Sequence, residues 1–547
     1  MIKYSYFPVF VTFLLLKNTH EEYVPDKCIF DTYYLPMISH NIGGDWNNFG
    51  SDPQALNSML GSLHEYFRTA RWFGGKAYQL ESLVCDHCLA LDHEGSRFYL
   101  IIVETIYTDH APEYYLLPVA LDNSMRAPAS SRLASFDEQW VVDAVYTTEF
   151  HKALFNYIID DKRLKTNNGE LNFDRGAGLN AEQQYLSSRN PGVDQSNSSI
   201  FFNEKYFMKI YRKLFLETNP EVEMLKFLTE VGGYKHVPAY RGSVIWERSK
   251  TAPVTFALMM YKVEARKDNW ATTGDELNDF MQSFVNGYFS IHEFVFEHVQ
   301  LLAKRTAEMH LALANDTPNK SFSAEKFNPK YREWLYQHLK DLLIGRLQML
   351  ESNSVLLDEE AKRMAQLLRD KKDILLRFFE KIRKKPLKSL RTRIHGDYHL
   401  GQALHTGEDF IIIDFEGEPE SSIADRKIKH SPLKDVAGMI RSFHYAVSAK
   451  LFYSNETKNA DKVKLQSAAD RWFYLIRETF TETYLEALGK EQKLYASKAE
   501  INFLFLLHLL EKAIYEVGYE LNGRPDWLKI PLKGIEQVIN ELEKFED

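Results

Sequence analysis

The sequence has few cysteines for its length, and this excludes a disulfide framework. Only Cys28, Cys85 and Cys88 occur among 547 residues, whereas disulfide scaffolds are short and cysteine-rich. Such usage is typical of a reducing compartment, so we expect a cytoplasmic protein. Cys85 and Cys88 have the spacing of a zinc knuckle but lack a second pair, which favours two small residues on a strand.

The sequence also lacks a large excess of one charge and a long apolar run. The chain has 67 basic and 76 acidic residues, a net charge of −9, and no long basic stripe that would indicate a nucleic-acid partner. The apolar run from Tyr6 to Leu16 is too short to cross a bilayer. Lys17 and Asn18 follow it where a signal peptide would have small residues. We therefore expect neither a membrane span nor export.

The most informative segment, residues 393–419, contains the groups that phosphoryl transfer requires. Asp397 stands in a polar loop, where its carboxylate is suited to accept the proton of an attacking hydroxyl. Gln402 follows five residues later, and Asp414 ends an apolar β run. A turn at Gly407 brings the amide oxygen and the carboxylate together, and such oxygen ligands suit Mg²⁺. Protein kinases use the same arrangement with an Asn in the loop.

A nucleotide site is predicted on the β strands that precede this segment. Lys209 lies on a strand and Glu223 near the start of the next helix, which is the kinase arrangement for holding the α- and β-phosphates of ATP. The usual glycine-rich loop is missing. Its place contains polar residues whose hydroxyl, amide and backbone groups can bind phosphate: Ser196, Asn197, Ser198 and Ser199. Met260 and Val263, at the end of a strand, are candidates for contact with the adenine edge.

Hydrophobic spacing predicts the remaining elements. Helices are predicted over 52–69, 299–314, 359–385 and 499–520, and a further helix is predicted to begin at Pro220. The predicted strands cover 97–106, 113–121 and 256–263, with a hairpin at 200–211 that turns at 203–205. The segment 162–192 is rich in Asn, Gly and Ser and is interpreted as a loop. The last helix is apolar nearly all round, which indicates a buried core helix.

Several motifs, taken in order, give the chain a resemblance to the maltokinases, within the aminoglycoside-phosphotransferase-like kinases. They cover nearly the whole chain after residue 55: RWFGGK at 71–76, DQSNSS at 194–199, NPEVE at 219–223, RTAEMHLALA at 305–314, HGDYHLGQ at 395–402, DFEGEP at 414–419, SPLKDVAGM at 431–439 and YELNGRPDW at 519–527. Together they are far more specific than the general kinase motif.

The resemblance implies transfer of the ATP γ-phosphoryl group to the anomeric hydroxyl of maltose, with Mg²⁺ as the cofactor. The product, maltose 1-phosphate, would feed α-glucan synthesis, and association with trehalose synthase is expected. The implied fold is α+β and bilobal, of protein-kinase type. The expected organisation is an unassigned segment or fusion remnant at 1–50, a cap at 51–122, a β-rich nucleotide lobe at 123–264, and a helical catalytic and acceptor-binding lobe at 265–547.

Acceptor binding is expected on the helical lobe, where rings and polar groups occur together. The candidates are His399, Arg426, Tyr519, Glu520, Asn522, Arg524 and Trp527. Stacking combined with dense hydrogen bonding suits a polyhydroxylated ligand, although Tyr519 and Trp527 are equally explained as core residues. Glu416, two residues after Asp414, is a candidate for either a second Mg²⁺ or a sugar hydroxyl.

Two other classes of function remain. Glucosamine kinases, aminoglycoside phosphotransferases and choline kinases share the catalytic core, so a different small acceptor is the nearest alternative. A non-catalytic nucleotide-binding partner of trehalose synthase is the second. It predicts the loss of at least one core residue, yet Lys209, Asp397, Gln402 and Asp414 are all present. A protein kinase is disfavoured because Asp414 is followed by Phe-Glu and not Phe-Gly.

Overall fold

The computed structural model describes residues 41–122, 127–191, 196–315, 317–453, 461–490 and 492–546. These residues form two compact units. The β-rich unit comprises the described residues of 41–230 and 238–262, and the helical unit those of 231–237 and 263–546. The apolar run at 6–16 and two residues of the polar loop, Asp194 and Gln195, lie outside the described residues.

The β-rich unit contains thirteen strands and four helices among its described residues. The strands are β1 (Leu80–His93), β2 (Ser96–Tyr107), β3 (Glu113–Asp122), β4 (Arg132–Phe136), β5 (Gln139–Asp143), β6 (Arg163–Thr166), β7 (Gly169–Arg175), β8 (Ser188–Arg189), β9 (Asn197–Phe202), β10 (Tyr206–Tyr211), β11 (Lys213–Leu214), β12 (Tyr240–Arg248) and β13 (Val254–Tyr261). The helices are α1 (Pro53–Gly61), α2 (His64–Thr69), α3 (Thr148–Ile159) and α4 (Pro220–Glu230).

The first sheet has the order β1-β2-β3-β5-β4, with β11 pairing with β3. Strands β2 and β3 agree with the predicted strands at 97–106 and 113–121. The helix predicted over 52–69 is instead two helices, α1 and α2, because the chain turns after Gly61, a poor helix former. Trp72 and Phe73 are buried in the core between these helices and the sheet. The sheet also continues beyond residue 122, where the boundary of the cap was expected.

The second sheet has the order β6-β7-β12-β13-β10-β9-β8, with antiparallel pairing throughout. The predicted hairpin is confirmed as β9 and β10, whose turn places Asn203 and Glu204 in the left-handed region, at φ 52° and 51°. The loop predicted over 162–192 is wrong in part, because β6 and β7 form a hairpin there. Its two-residue turn, Asn167-Asn168, precedes Gly169 at φ 131°, and Asn and Gly are the residues that tight hairpins favour.

The helical unit contains ten helices and five short strands among its described residues. The helices are α5 (Asn269–Val285), α6 (Glu293–Leu313), α7 (Pro329–Ser352), α8 (Glu359–Asp370), α9 (Lys372–Lys384), α10 (Ile423–Arg426), α11 (Leu433–Tyr453), α12 (Lys462–Leu488), α13 (Lys498–Gly523) and α14 (Lys529–Glu546). The strands are β14 (Lys267–Asp268), β15 (Glu325–Lys326), β16 (Leu390–Arg391), β17 (Ala403–His405) and β18 (Phe410–Ile412).

The predicted helices of this unit are largely observed. Helix α13 is buried over most of its length, as its apolar sequence indicates. The single helix predicted over 359–385 is interrupted at Lys371 and becomes α8 and α9. None of the helices in the described part of the chain is both long enough and apolar enough to cross a membrane.

Candidate active site

The loop that carries Asp397 is held by a buried carboxylate from α11. Asp435 is 1% exposed, and its oxygens accept hydrogen bonds from the backbone N–H groups of His395 (2.7 Å) and Gly396 (2.9 Å). Nε2 of buried His310 lies 3.1 Å from the same carboxylate. Burial raises the pKa of Asp435, but the hydrogen bond and charge of His310, together with His395 and the Gly396 N–H, outweigh burial and keep the pKa below its ordinary value. Asp435 therefore fixes the backbone just before Asp397.

A lysine from α13 faces the Asp397 carboxylate. Nζ of Lys512 lies 3.5 Å from Oδ1 of Asp397 and 3.4 Å from Oε1 of Glu418. Burial raises the pKa of Asp397, but the neighbouring positive groups, of which Lys512 contributes most, together outweigh burial and keep the pKa below its ordinary value. Burial likewise opposes the charge of Lys512, whereas Glu418 and Asp397 raise its pKa. Asp397 is therefore ionised at neutral pH, as a proton acceptor must be.

Gln402 and Asp414 come together through the β17–β18 hairpin. Ala403 pairs with Ile412, and the backbone N–H of Ile413 donates to the Gln402 carbonyl at 2.9 Å. The Gln402 amide Nε2 donates to Oδ2 of Asp414 at 3.2 Å. The Gln402 side chain is buried, and its Oε1 has no hydrogen-bond partner among the described residues. An unpaired buried oxygen beside a carboxylate fits a hard cation such as Mg²⁺.

Asp414 has an unusual backbone conformation for a residue with a side chain. Its φ is 66°, in the left-handed region that costs most residues free energy. Non-glycine residues in this region are concentrated at functional sites, where the surrounding structure fixes them. The buried hairpin before it and the close approach of Gly417 to Gly396 after it supply that constraint. A Cβ on Gly396 would lie 3.2 Å from Cα of Gly417.

His399, Arg426 and Glu416, all expected in the site, lie near Asp397. Burial lowers the pKa of His399 against the opposing charge of Asp397, so its imidazole is neutral. Its Nδ1 accepts a hydrogen bond from the backbone N–H of Gly401 at 3.1 Å. Burial also lowers the pKa of Arg426, and the carboxylates of Glu416 and Asp397 oppose that shift. The charges of Arg426, Glu416 and Asp397 therefore interact. Binding of a metal or a sugar by His399, Arg426 or Glu416 stays a prediction.

A cavity of about 440 Å³ adjoins the Asp397 loop within the helical unit. Gly396 and Tyr398, the neighbours of Asp397 in the chain, line it together with Arg426. Its other walls come from α7, the start of α11, α13 and the segment 417–426. The volume is within the range of pockets that bind small molecules, about 300–1,000 Å³.

Four lining residues of α13 were not predicted as site residues: His508, Glu511, Lys512 and Tyr515. Their spacing of three or four residues places them on one face of the helix. A polar stripe on an otherwise apolar helix was therefore a signal in the sequence that could have identified them.

Residues of the segment expected to bind the acceptor, 519–527, contact one another. Glu520 is 1% exposed and forms an ion pair with Arg524 at 2.8 Å. The Arg524 guanidinium lies 4.3 Å from the ring centroid of Trp527 and 5.6 Å from that of Tyr519. None of these residues, nor Asn522, is among the described residues that line the 440 Å³ cavity. Burial raises the pKa of Tyr519, and the charges of Glu520 and Asp397 add to that shift.

In the β-rich unit, the strand lysine pairs with a glutamate on the next helix. Nζ of Lys209 lies 2.9 Å from Oε2 of Glu221, a side chain that is 3% exposed. The same oxygen accepts a hydrogen bond from the hydroxyl of Tyr211 at 2.8 Å. Glu221 is therefore a partner of Lys209 on α4, and the role expected for Glu223, two residues later in the chain, stays a prediction. Ser199 lies opposite Lys209 in the β9–β10 ladder, so their side chains share a face of the sheet.

Ser198, for which phosphate binding stays a prediction, is part of a buried ionic cluster. Its hydroxyl accepts a hydrogen bond from Nε of Arg212 at 2.7 Å. Arg212 also donates to Oδ2 of Asp143 at 2.6 Å, and both side chains of this pair are fully buried. The guanidinium lies 5.1 Å from the ring centroid of Trp72. Ser198 therefore helps to connect the two sheets of the β-rich unit.

The other residues expected to bind ATP are Ser196, Asn197, Met260 and Val263. Nδ2 of Asn197 donates to the hydroxyl of exposed Ser196 at 3.4 Å. The Met260 side chain is 6% exposed within β13, and Val263 is half-buried at the start of the helical unit's longer segment. Contact of these residues with ATP stays a prediction.

Comparisons with known proteins agree with this architecture. No protein-family model matches the chain. A glucosamine kinase from Streptacidiphilus jiangxiensis is 22% identical over 358 residues, which are 64% of this chain and 73% of the relative. A glucosamine kinase from Mycolicibacterium smegmatis is 30% identical over 151 residues, 27% of this chain and 34% of the relative.

A solved glucosamine kinase, in complex with glucosamine, ADP and inorganic phosphate, matches with a TM-score of 0.62 and 16% identity. The match covers 87% of this chain and 98% of that structure. At this identity the likeness shows the fold. The expected α+β fold of protein-kinase type is thereby confirmed.

Proposed function

We propose that this protein is an ATP-dependent kinase that transfers the γ-phosphoryl group to a hydroxyl of a small sugar. The observation that carries the proposal is the ionised Asp397 beside a sugar-sized cavity, with Gln402 and Asp414 close by in the same unit. The similarity to glucosamine kinases supports the general reaction. Maltose, phosphorylated at its anomeric hydroxyl, is the acceptor that the sequence motifs favour.

Each residue of the site has a role in this mechanism. Asp397 orients the attacking hydroxyl and takes its proton, a contribution of typically about 10²–10⁴-fold. Lys512 keeps Asp397 ionised before the acceptor arrives. Gln402 and Asp414 would hold Mg²⁺, which supplies positive charge against the phosphate oxygens. Lys209, positioned by Glu221, would bind the α- and β-phosphates of ATP.

Glucosamine is a second candidate acceptor, and the charge of the cavity favours it. Three carboxylate side chains line the cavity wall formed by 417–426, those of Glu418, Glu420 and Asp425. Such a wall suits a ligand with an ammonium group, and the two similar proteins above are glucosamine kinases. Lys512, Lys434 and Arg426 line the same cavity, so the balance of charge does not require a cationic ligand.

An acceptor screen tests the proposal. Purified protein with ATP and Mg²⁺ is assayed for ADP release with maltose, glucose, trehalose, glucosamine and maltotriose, and the new phosphate is located by ³¹P and ¹³C NMR. Maltose-dependent release with phosphate on the anomeric carbon is the expected result. If only glucosamine is phosphorylated, glucosamine is the acceptor, and the proposed phosphoryl transfer still stands. The Asp397→Asn variant should bind ATP yet lose most turnover, and an unchanged kcat would refute its role as the base.

Absence of turnover with every acceptor, despite ATP binding, would favour a non-catalytic nucleotide-binding protein. We keep association with trehalose synthase and a place in α-glucan synthesis as parts of the proposal that rest on the maltokinase resemblance. Co-purification of the two proteins from a mixed sample would test the association.

A further inference from the structure

A cavity of about 450 Å³ lies in the β-rich unit, at the turn 71–76. Its volume is within the range of pockets that bind small molecules, about 300–1,000 Å³. Arg68, near the end of α2, and Lys76, at the end of the turn, line it together with Phe73 and Tyr78. We name this cavity the turn pocket. The RWFGGK sequence that forms the turn has no role in the mechanism proposed above.

The turn pocket is positively charged. Arg68 and Lys76 both line it. Partial burial lowers the pKa of Lys76, and the charge of nearby Arg71 lowers it further. No carboxylate in the described part of the chain forms an ion pair with any of these three cations. The chain as a whole has a net charge of −9, so a group of cations without a counter-charge favours an anionic ligand at this place.

The carboxylates behind the turn are bound to other partners. Oε2 of Glu113 accepts hydrogen bonds from the hydroxyls of Tyr115 (2.6 Å) and Tyr107 (2.9 Å), and its Oε1 forms an ion pair with Lys213. Oδ1 of Asp109 accepts a hydrogen bond from the backbone N–H of residue 79 at 3.3 Å. Neither carboxylate is among the groups that shift the pKa of Lys76. The positive charge of the pocket is therefore not neutralised from behind.

The same two tyrosines hold the turn in place. The backbone N–H of Gly74 donates to the Tyr115 hydroxyl at 3.2 Å. Gly75 is buried against Tyr107, and a Cβ at this position would collide with the Tyr107 hydroxyl. Because Glu113 fixes both hydroxyls, the turn has its conformation before a ligand arrives. A preorganised site loses less conformational entropy on binding than a flexible one.

The chemistry of the cations favours a phosphate group over a carboxylate. A guanidinium group can form two parallel hydrogen bonds with phosphate oxygens, and a lysine ammonium adds a compact positive charge. A phosphate monoester carries about 1.5–2 negative charges at neutral pH, so it balances more of the cluster than one carboxylate does. A concave pocket of this size also suits a small molecule better than the broad contact of a protein partner.

We propose that the turn pocket binds the phosphate group of a small phosphorylated molecule, with Arg68 and Lys76 contacting the phosphate and Arg71 adding positive charge. The site uses none of the residues that the proposed kinase mechanism uses. It is independent of that function, and either proposal can fail without the other.

Calorimetric titration of the full-length protein with inorganic phosphate, pyrophosphate and glucose 6-phosphate tests the site. We expect the affinity for the tightest of these anions to fall about tenfold in R68Q and in K76Q, as for the loss of one charged hydrogen bond, and K76R to retain it. Lys165→Gln removes an exposed lysine of β6 and is the matched control. Lys209→Met removes the lysine expected to bind ATP, and this variant should keep the binding that K76Q loses.

The three anions distinguish the sources of the phosphate group. Losses confined to glucose 6-phosphate and pyrophosphate would support a phosphorylated molecule as the ligand, and an equal loss for inorganic phosphate would support free phosphate at the same site. Binding of none of the anions, or equal affinity in the wild type, R68Q and K76Q, would overturn the site. Binding of a poly-glutamate peptide that K76Q abolishes, without binding of the phosphates, would overturn the phosphate assignment in favour of an acidic protein segment.

Discussion

Replacing Lys512 by methionine should reduce activity at acidic pH and spare it at higher pH. The Lys512 ammonium lies 3.5 Å from Asp397 and counteracts burial, so the pKa of Asp397 is below its ordinary value. Without that charge, burial and the repulsion from Asp414 raise the pKa. A larger fraction of Asp397 is then protonated at a given acidic pH, and a protonated carboxyl group cannot accept the proton of the acceptor.

The distance sets the size of this effect. Two unit charges 3.5 Å apart attract by about 5 kcal/mol at an effective dielectric constant of 20. The two side chains are 23% and 26% exposed, and Glu418 shares the ammonium at 3.4 Å. Solvent screening and this sharing reduce the effective interaction to about 1–2 kcal/mol. At a pH below the pKa of Asp397, we therefore expect kcat/KM of K512M for the acceptor to be about tenfold lower than that of the wild type.

The assay is kcat/KM for the best acceptor, measured as a function of pH for the wild type and K512M. Lys512→Arg is the matched control, because it keeps the positive charge and should keep the acid limb of the profile in place. Two results would refute the reasoning. Coincident profiles at acidic pH would mean that Lys512 does not set the ionisation of Asp397, and an equal loss at every pH would mean that it acts in binding.

Three further predictions concern the other parts of the site. Glu221→Gln should raise KM for ATP, because Glu221 holds the strand lysine, and an unchanged KM in ATP titrations would contradict this. Gln402→Ala should raise the Mg²⁺ concentration for half-maximal activity by about tenfold or more, while Gln402→Glu keeps an oxygen ligand and should not. Arg212→Met leaves the Asp143 carboxylate buried without its counter-charge, so the free energy of unfolding in urea should fall by about 3–5 kcal/mol; an unchanged value would contradict the role of the pair.

The parts of the site that are close in the sequence could be predicted from it. Asp397, Gln402 and Asp414 lie within a short stretch, and the β17–β18 hairpin that joins them is a local structure. Their proximity in the structure follows from strand pairing and one turn at Gly407. The β9–β10 hairpin was predictable for the same reason.

Contacts between elements that are far apart in the chain could not be predicted from the sequence in this way. The contact of Glu221 with Lys209 depends on the rotation of α4 against the sheet, which the helix pattern leaves open. The cavity walls on α7 and α13 are far apart in the chain, so only the polar stripe on α13 indicated them. The interruption at Lys371 likewise left no break in the helical periodicity of 359–385.

Arg212 also determines how this protein can be divided. It connects Ser198 on the second sheet to Asp143 on the first sheet and to Trp72, which packs against the first sheet, and its side chain is fully buried. A shortened chain that begins after the first sheet would retain the guanidinium and lose the Asp143 carboxylate and the Trp72 ring against which it is buried. The first sheet is therefore not an accessory that deletion or domain exchange can remove, and variants that exchange it must carry residues 72, 143 and 212 together.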